Sequence, residues 1–292
     1  MRKPILVVLI TILSILLLFS VVSSSACKIS KETKTNTFTV GSNPVVQVET
    51  GNGNIDLVVG TDGTITVISE LQNPDIIEYQ VSQDGDSITV KAKTRSNSRA
   101  DITVTLPAKT EFVLSTGNGD VNVADVQAPG QMSSGNGSLS LTGVNGNVTG
   151  NVGNGDINIS DVMGSLFFNA GNGKITLRKA SGVFTLNAGN GRILATEVTG
   201  EFNLNAGNGN VEFKGELTSE GDNDFSSGNG SITAELMGSP SVILDLETDD
   251  GVIKVDLPVT ISEQSKYRLA GTIGDGEANL TVQAGSGDII IK

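Results

Sequence analysis

The amino-acid sequence predicts an all-β protein, a single-stranded β-solenoid whose coils of about 18 residues stack on one another. Two observations support this fold class. Short runs rich in Val, Ile and Leu alternate apolar with polar residues, which is typical of strands with one buried face. The triplet Gly-Asn-Gly recurs with a constant step of 18, beginning at residues 117, 135, 153, 171, 189 and 207.

The N-terminal segment has the residue order of an export signal. Arg2 and Lys3 precede an apolar run over residues 5–22, which is followed by small residues and by Cys27, the only cysteine. This order predicts a signal peptide over residues 1–26, and Cys27 resembles the lipid-attachment residue of bacterial lipoproteins. The alternative is an uncleaved anchor, since the apolar run is just long enough to span a bilayer. Both alternatives predict an extracytoplasmic protein, anchored in the membrane at the cell surface.

The rest of the chain divides into a tether and one solenoid domain. Residues 27–39 are polar and predict a tether, whereas residues 40–292 carry strand patterns throughout. Residues 40–116 lack a constant step and predict irregular capping coils, because the terminal units of a solenoid must close an exposed edge. Residues 117–227 predict the regular 18-residue coils, and residues 228–292 predict the terminal coils of the other end.

A single unit shows what each regular coil contains. After the triplet at 171, Ile175 and Leu177 alternate with polar residues, and Phe184 and Leu186 do the same after Gly182. Each unit therefore predicts two short strands joined by glycine-containing bends. One coil cannot bury its inner face alone, but a stack with strands about 4.8 Å apart forms a continuous core.

The asparagine of the triplet has a physical role in such a stack. With a constant step, these asparagines lie above one another, so that their amides can hydrogen-bond along the solenoid axis. The flanking glycines allow positive φ at a sharp corner. We therefore interpret the triplet as a structural corner, with a ladder formed by Asn118, Asn136, Asn154, Asn172, Asn190, Asn208 and Asn229. A second polar row is expected through Asn151, Asn169, Asn187 and Asn205.

The composition excludes several classes of function. The chain has no His, no Trp and a formal net charge of −13. Ser-His-Asp catalysis requires His, and a transition-metal site is disfavoured when the one Cys lies at the N-terminus. The acidic balance argues against nucleic acid, because phosphate contacts need clustered Lys and Arg. We therefore expect no catalytic residues, no metal, no cofactor and no nucleic-acid partner.

The acidic side chains leave two alternatives open. A calcium ladder would need carboxylates after every triplet, where Lys174 and Arg192 stand instead. An incidental calcium site could involve Asp222, Asp224, Asp249 and Asp250. Paired carboxylates could also cleave a glycosidic bond, and four acids face outward in the predicted register: Asp120, Asp125, Asp156 and Asp161. We interpret both sets as solvated loop and turn residues.

One outward surface combines basic residues from three successive coils. They are Lys174, Arg178, Lys179, Arg192 and Lys214. In an acidic chain this patch could bind an anionic glycan or a protein partner. The alternative is a set of ion pairs across the coils, since Glu197 and Glu212 are close in the predicted register.

The sequence also resembles a known family. The resemblance lies in "ITVTLPAKTEFVLSTGNGDVNVADV" (102–126), in the units that follow, and in the closing "TDDGVIKVDLP" and "GSGDIIIK". These residues resemble the bacterial putative-adhesin β-strand repeat family, which is similar to the adhesin-head GIN domains. The resemblance implies a right-handed β-helix at the cell surface, and it supplies no catalytic residues.

These observations predict a non-enzymatic surface protein. The first expectation is an adhesin or surface-binding module that recognises cell-surface or extracellular polysaccharide, or an envelope protein. Its contact with the membrane is the N-terminal lipid or helix. The alternative is a structural or regulatory envelope protein without a ligand of its own, and a polysaccharide-active enzyme is the third candidate.

Overall fold

The computed structural model describes residues 29–218 and 220–292, and it is an all-β protein. Its one short helix is a single 3₁₀ turn, Pro74–Ile76. The predicted signal peptide or anchor over residues 1–26 and the predicted lipid-attachment residue Cys27 lie outside the described residues. Within the described ranges, no helix has the length and apolar character needed to cross a bilayer.

The strands fall into an N-terminal, a middle and a C-terminal group. The N-terminal group is β1 Lys31–Thr39, β2 Val45–Asn52, β3 Ile55–Val59, β4 Thr64–Gln72, β5 Glu78–Asp84, β6 Ser87–Lys93 and β7 Arg99–Leu106. The middle group is β8 Glu111–Asn118, β9 Val121–Ala124, β10 Gly130–Asn136, β11 Leu139–Thr142, β12 Val148–Asn154, β13 Ile157–Asn172, β14 Ile175–Ala188, β15 Ile193–Ala206 and β16 Val211–Leu217. The C-terminal group is β17 Asp222–Ser227, β18 Ile232–Leu236, β19 Val242–Thr248, β20 Ile253–Val255, β21 Thr260–Gln264, β22 Arg268–Ile273, β23 Ala278–Ala284 and β24 Ile289–Ile291.

The middle strands stack in parallel on their equivalents in the next unit. Ile157 of β13 pairs with Ile175 of β14, which pairs with Ile193 of β15. The same offset of 18 residues relates β8 to β10 and β10 to β12. Two columns of strands result, and we call them the first face (strands that follow a triplet) and the second face (strands that precede one).

The core lies between these two faces. Inward residues of the second face, such as Phe184, Leu186 and Phe202, are fully buried. Their rings form a run along the axis, with Phe184 stacked on Phe202 at 5.2 Å and Phe213 edge-on to Phe202 at 5.0 Å. This run compensates for the low aromatic content, because offset and edge-to-face pairs add to the free energy of burial.

Two corners turn the chain between the faces. At one of them a glycine column includes Gly164, Gly182 and Gly200, whose φ angles lie between +136° and +150°. The other has non-glycine residues in the left-handed region, with Asp161 at +56° and Lys179 at +48°. Because each corner repeats in register, a substitution at one coil also meets the backbone of the coil beside it.

At both ends the order of the coils in space differs from their order in the sequence. The coil of β2 and β3 lies between that of β6 and β7 and that of β8 and β9. In the same way, the coil of β23 and β24 lies between that of β17 and β18 and that of β19 and β20. Both flanks of each inserted coil are paired, so the strands nearest the chain ends do not remain as open edges.

The prediction of a polar tether over residues 27–39 is wrong for its strand residues. Lys31–Thr39 forms β1, which pairs antiparallel with β4 over its whole length. Alternate side chains such as Lys34, Asn36 and Phe38 are half-buried against the domain. Polar composition suggested a tether, but the threonine-rich alternation suits an edge strand with one solvated face.

Candidate functional site

A ladder of asparagine amides runs along the triplet corner. Each Nδ2 donates to the Oδ1 of the asparagine in the neighbouring coil at 2.5 to 2.9 Å. The predicted members Asn118, Asn136, Asn154, Asn172, Asn190, Asn208 and Asn229 all lie in this ladder. Asn52, from the early triplet at 51, adds a further rung below Asn118. An amide suits this position because it both donates and accepts.

Replacing Asn172 with alanine is expected to lower the free energy of unfolding by about 1 kcal/mol, because two exposed amide hydrogen bonds are lost. Asn190→Ala removes the equivalent pair of bonds and should behave alike. Thermal unfolding followed by circular dichroism measures the effect as a drop of about 2–4 °C. The control is Asn203→Ala, an exposed asparagine of β15 with no side-chain hydrogen bond to the described residues. If Asn172→Ala and Asn203→Ala melt alike, the ladder does not contribute to stability.

The second predicted polar row lies on the second face, one strand turn away from the ladder. Asn169 donates to Asn151 at 2.7 Å, and Asn187 donates to Asn169 at 2.8 Å. Asn205 is exposed and lies in register with Asn187. Ser133 and Ser115 continue the row in the other direction, with their hydroxyls 3.1 Å apart.

The side chain after each triplet binds the backbone of the next coil. Asp120 Oδ1 accepts from the Ser138 amide at 2.7 Å, and Asp156 Oδ1 accepts from the Lys174 amide at 3.0 Å. Asn210 makes the same contact with the Ser231 amide. An acceptor is therefore favoured here for a structural reason, which the sequence pattern alone does not reveal.

The remaining acids also have ordinary surroundings. Asp125 and Asp161 occupy left-handed corner positions, with φ of +61° and +56°. Asp222 accepts from Asn279 Nδ2 at 2.8 Å, and partial burial raises the pKa of the Asp224 carboxyl above its usual range. The other two candidate calcium ligands, Asp249 and Asp250, are exposed in a bend after β19. Over residues 29–218 and 220–292, no three His, Cys, Asp or Glu side chains form a group able to hold a metal ion.

Three of the five predicted basic residues surround one groove on the first face. We call it the basic groove; its volume is about 360 Å³. Lys174, Arg178 and Arg192 line it together with polar side chains from four neighbouring coils, including Ser140, Thr142, Asn158, Ser160 and Thr176. The arrangement presents cationic donors beside hydroxyl and amide groups, which is suited to an oxygen-rich anion.

The structure separates the other two basic residues from this groove. Lys179 projects from the left-handed corner, and Lys214 lines an adjoining depression with Glu235. Lys214 donates a hydrogen bond to Glu235, and this contact holds the pKa of the Glu235 carboxyl below its usual range. The predicted patch is therefore one groove with two flanking cations.

Ion pairs across the coils neutralise part of this surface. Lys174 Nζ lies 3.6 Å from Asp156 Oδ2, and Arg192 lies 3.8 Å from Glu212. In the part of the chain that the structure describes, Arg178 has no carboxylate within ion-pair distance. Exposed pairs of this length contribute little, so Lys174 and Arg192 remain able to exchange partners.

One structural residue could not be found from the repeat. Asn223 is buried where the step changes from 18 to 21, between β15 and β17. Its Oδ1 accepts from the Phe202 amide at 2.9 Å and its Nδ2 donates to the Asn279 carbonyl at 3.0 Å. It satisfies backbone groups that the insertion leaves without their regular partners. Only its place beside the lengthened step distinguishes it in the sequence.

Comparison with solved structures finds similar chains of low identity. A putative adhesin from Bacteroides fragilis NCTC 9343 shares 16% identity, with 90% of this chain and 98% of that chain covered and a TM-score of 0.34. A putative cell adhesion protein from Clostridium sporogenes ATCC 15579 shares 10% identity, covering 89% and 99% of the two chains with a TM-score of 0.22. A putative lipid binding protein from Parabacteroides distasonis ATCC 8503 shares 10% identity, covering 89% and 97% with a TM-score of 0.31.

Comparison with protein families gives a match over most of the chain. No curated protein sequence matches the chain. The family model described as Toastrack DUF4097 matches residues 38–292, from the end of β1 to the last residue. This match confirms the resemblance found in the sequence: the chain belongs to the Toastrack DUF4097 family.

Proposed function

We propose that the chain is a non-enzymatic binding module at the cell surface, which attaches to an anionic polysaccharide through the basic groove. In this proposal the coils, of about 18 residues and right-handed, form a rigid support outside the cytoplasmic membrane. The N-terminal segment, with Cys27 acylated or the helix retained, provides the membrane attachment. Repetition along the axis suits weak contacts that add up on a polymer.

The observation that carries this function is the composition of the basic groove. Arg178 and its two cationic neighbours surround the hydroxyls and amide of adjoining coils. Uronate, sulfate and phosphate groups present planar or multidentate oxygens, which guanidinium and ammonium groups bind by charge-assisted hydrogen bonds. The overall charge of −13 makes this local concentration of cations more distinctive.

A structural or regulatory envelope role is the second candidate, and the ion pairs favour it. Lys174–Asp156, Arg192–Glu212 and Lys214–Glu235 neutralise three of the five basic residues. A surface that only needs to remain soluble and compact could have this arrangement. The same acids with backbone partners, Asp120 and Asp156, make carbohydrate cleavage the weakest of the three candidates, since a catalytic pair should be available to substrate.

Binding of the full chain to immobilised polygalacturonate separates the first two candidates. We expect saturable binding that weakens as salt concentration rises, because exposed charges are screened. Arg178→Glu combined with Lys174→Glu should reduce affinity at least tenfold without changing the melting temperature. Lys109→Glu combined with Lys31→Glu makes an equal charge change at exposed positions outside the groove and should leave affinity nearly unchanged.

Two outcomes would contradict the binding proposal. One is an absence of binding to polygalacturonate and to other uronate, sulfate or phosphate polymers, which would support the envelope role. The other is equal weakening by the groove variant and the control variant, which would mean that net charge rather than the groove determines attachment. Release of reducing sugar in the same samples would instead identify an enzyme.

A further inference from the structure

A second and larger groove lies on the second face, beside the triplet corner. We call it the axial groove; its volume is about 780 Å³. It crosses six neighbouring strands in the stack, from β6 through β2, β8, β10 and β12 to β13. At about 4.8 Å per strand its length is about 24 Å. We propose that it binds an extended, neutral, β-linked polysaccharide that lies along the solenoid axis.

The floor of the axial groove consists of exposed peptide backbone. Gly117, Gly135 and Gly153 occupy outward positions there, and all three are exposed. A Cβ at each would lie 2.5 to 2.6 Å from the carbonyl oxygen of the glycine in the neighbouring coil. Side chains are therefore excluded from this strip, which leaves a channel between the asparagine ladder and the second polar row.

One wall of the groove repeats a neutral hydrogen-bonding group in every coil. Ser115, Ser133, Asn151 and Asn169 stand in register along it. Each amide makes only one or two of the four hydrogen bonds it can form, so donors and acceptors remain for a ligand. A wall of this kind matches the hydroxyl groups of a sugar.

Charged side chains line only one end of the groove. Glu49, Lys91 and Lys93 lie there, at the last two strands of the six, and their charges nearly balance. Thr94 also lines this end, and its hydroxyl oxygen is buried and has no hydrogen-bond partner among the described residues. The middle of the groove is uncharged, which favours a neutral ligand over the anionic polymer proposed for the basic groove.

The repeat distance decides between a polysaccharide and a peptide. An extended peptide advances about 3.3 Å per residue, so that equivalent side chains recur about every 6.6 Å and fall out of step with coils about 4.8 Å apart. An equatorially linked pyranose chain advances by about one coil spacing per sugar. Each sugar can then meet the same serine or asparagine environment, and the free energy of each contact is repeated along the chain.

The site is independent of the basic groove, because the two lie on different faces and share no lining residue. Its test uses the full chain with β-1,4-linked oligosaccharides of glucose, N-acetylglucosamine and mannose, two to eight units long. At least one series should bind, and its affinity should rise with length up to about six units and then level off. The length limit corresponds to the six strands that line the groove.

A matched pair of variants assigns the binding to this groove. Asn151→Phe fills the channel from an exposed position and should weaken binding of the hexasaccharide at least tenfold. Asn205→Phe makes the same change in the same row, three coils away and outside the groove, and should leave binding and melting temperature unchanged. The basic-groove variant Arg178→Glu should also bind the hexasaccharide normally, so failure of one site is distinguishable from failure of the other.

Several results would overturn the proposal. They are an absence of binding in all three series, an affinity that does not depend on length, equal effects of Asn151→Phe and Asn205→Phe, and binding of an extended serine- and asparagine-rich peptide in preference to every oligosaccharide.

Discussion

Replacing Gly182 with valine is expected to lower the free energy of unfolding by about 3–5 kcal/mol, since it adds backbone strain to a steric clash. Gly182 has φ of +143°, a conformation that side-chain-bearing residues rarely adopt. A Cβ at this position would lie 2.0 Å from the Gly164 carbonyl oxygen and 3.1 Å from the Gly164 nitrogen. Because both atoms belong to the backbone of the next coil, no side-chain rotation relieves the clash.

Thermal and urea unfolding of the full chain measure this effect, as a drop in melting temperature of about 10 °C. The control is Gly85→Ala, which also replaces a glycine with positive φ, at +58°, but in a turn with no atom within 4 Å of the new Cβ. It should cost only about 1–2 kcal/mol, the usual penalty of the left-handed region. Similar losses for the two variants would mean that φ alone, and not coil-to-coil contact, accounts for the Gly182 column.

The regular part of the fold could be predicted because one physical rule governs it. A constant step of 18 residues places equivalent residues above one another, so the triplet spacing is sufficient to predict the asparagine ladder from Asn118 to Asn208. The alternation of Ile175, Leu177, Phe184 and Leu186 likewise identifies the inward side, since strands expose alternate residues to opposite faces. Both predictions depend only on the local period of the sequence.

The ends could not be predicted, because their partners are distant in the sequence. Asn52 lies 66 residues before Asn118, yet its amide is the next rung of the ladder. No local period indicates that β6 and β7 stack beyond β2 and β3, or that β23 is inserted between β17 and β19. These positions follow from the need to pair exposed strand edges, and several strand orders can meet that need.

The candidate sites were only partly accessible to sequence reasoning for a related reason. The register placed Lys174, Arg178 and Arg192 on one surface, and the structure brings them around one groove. Side-chain direction decides the rest, and it sends Lys214 to Glu235 and Lys179 to a corner. The axial groove arises from positions without side chains, so a search for reactive residue types passes over it.

Phe202→Ala is expected to destabilise the fold by about 4–5 kcal/mol, the upper part of the range for removing a buried aromatic ring. Phe202 is fully buried and contacts two further rings, Phe184 at 5.2 Å and Phe213 at 5.0 Å. Alanine would leave a cavity in the middle of this run, and its walls belong to neighbouring coils that their own backbone pairing holds in place. Collapse around the cavity is therefore limited, and limited collapse makes such truncations costly.

Phe167→Ala is the matched control, because Phe167 lies on the outward side of β13 and is 44% exposed. Its loss should cost less than about 1 kcal/mol, since most of the ring is already in water. Solenoid coils contact only their neighbours, so Phe202→Ala should also increase amide hydrogen exchange in β14, β15 and β16 before it does so in β2 or β8. Uniform acceleration along the whole chain would instead show that the stack unfolds as a single cooperative unit, and the cost of the cavity would then be shared by coils that never touch Phe202.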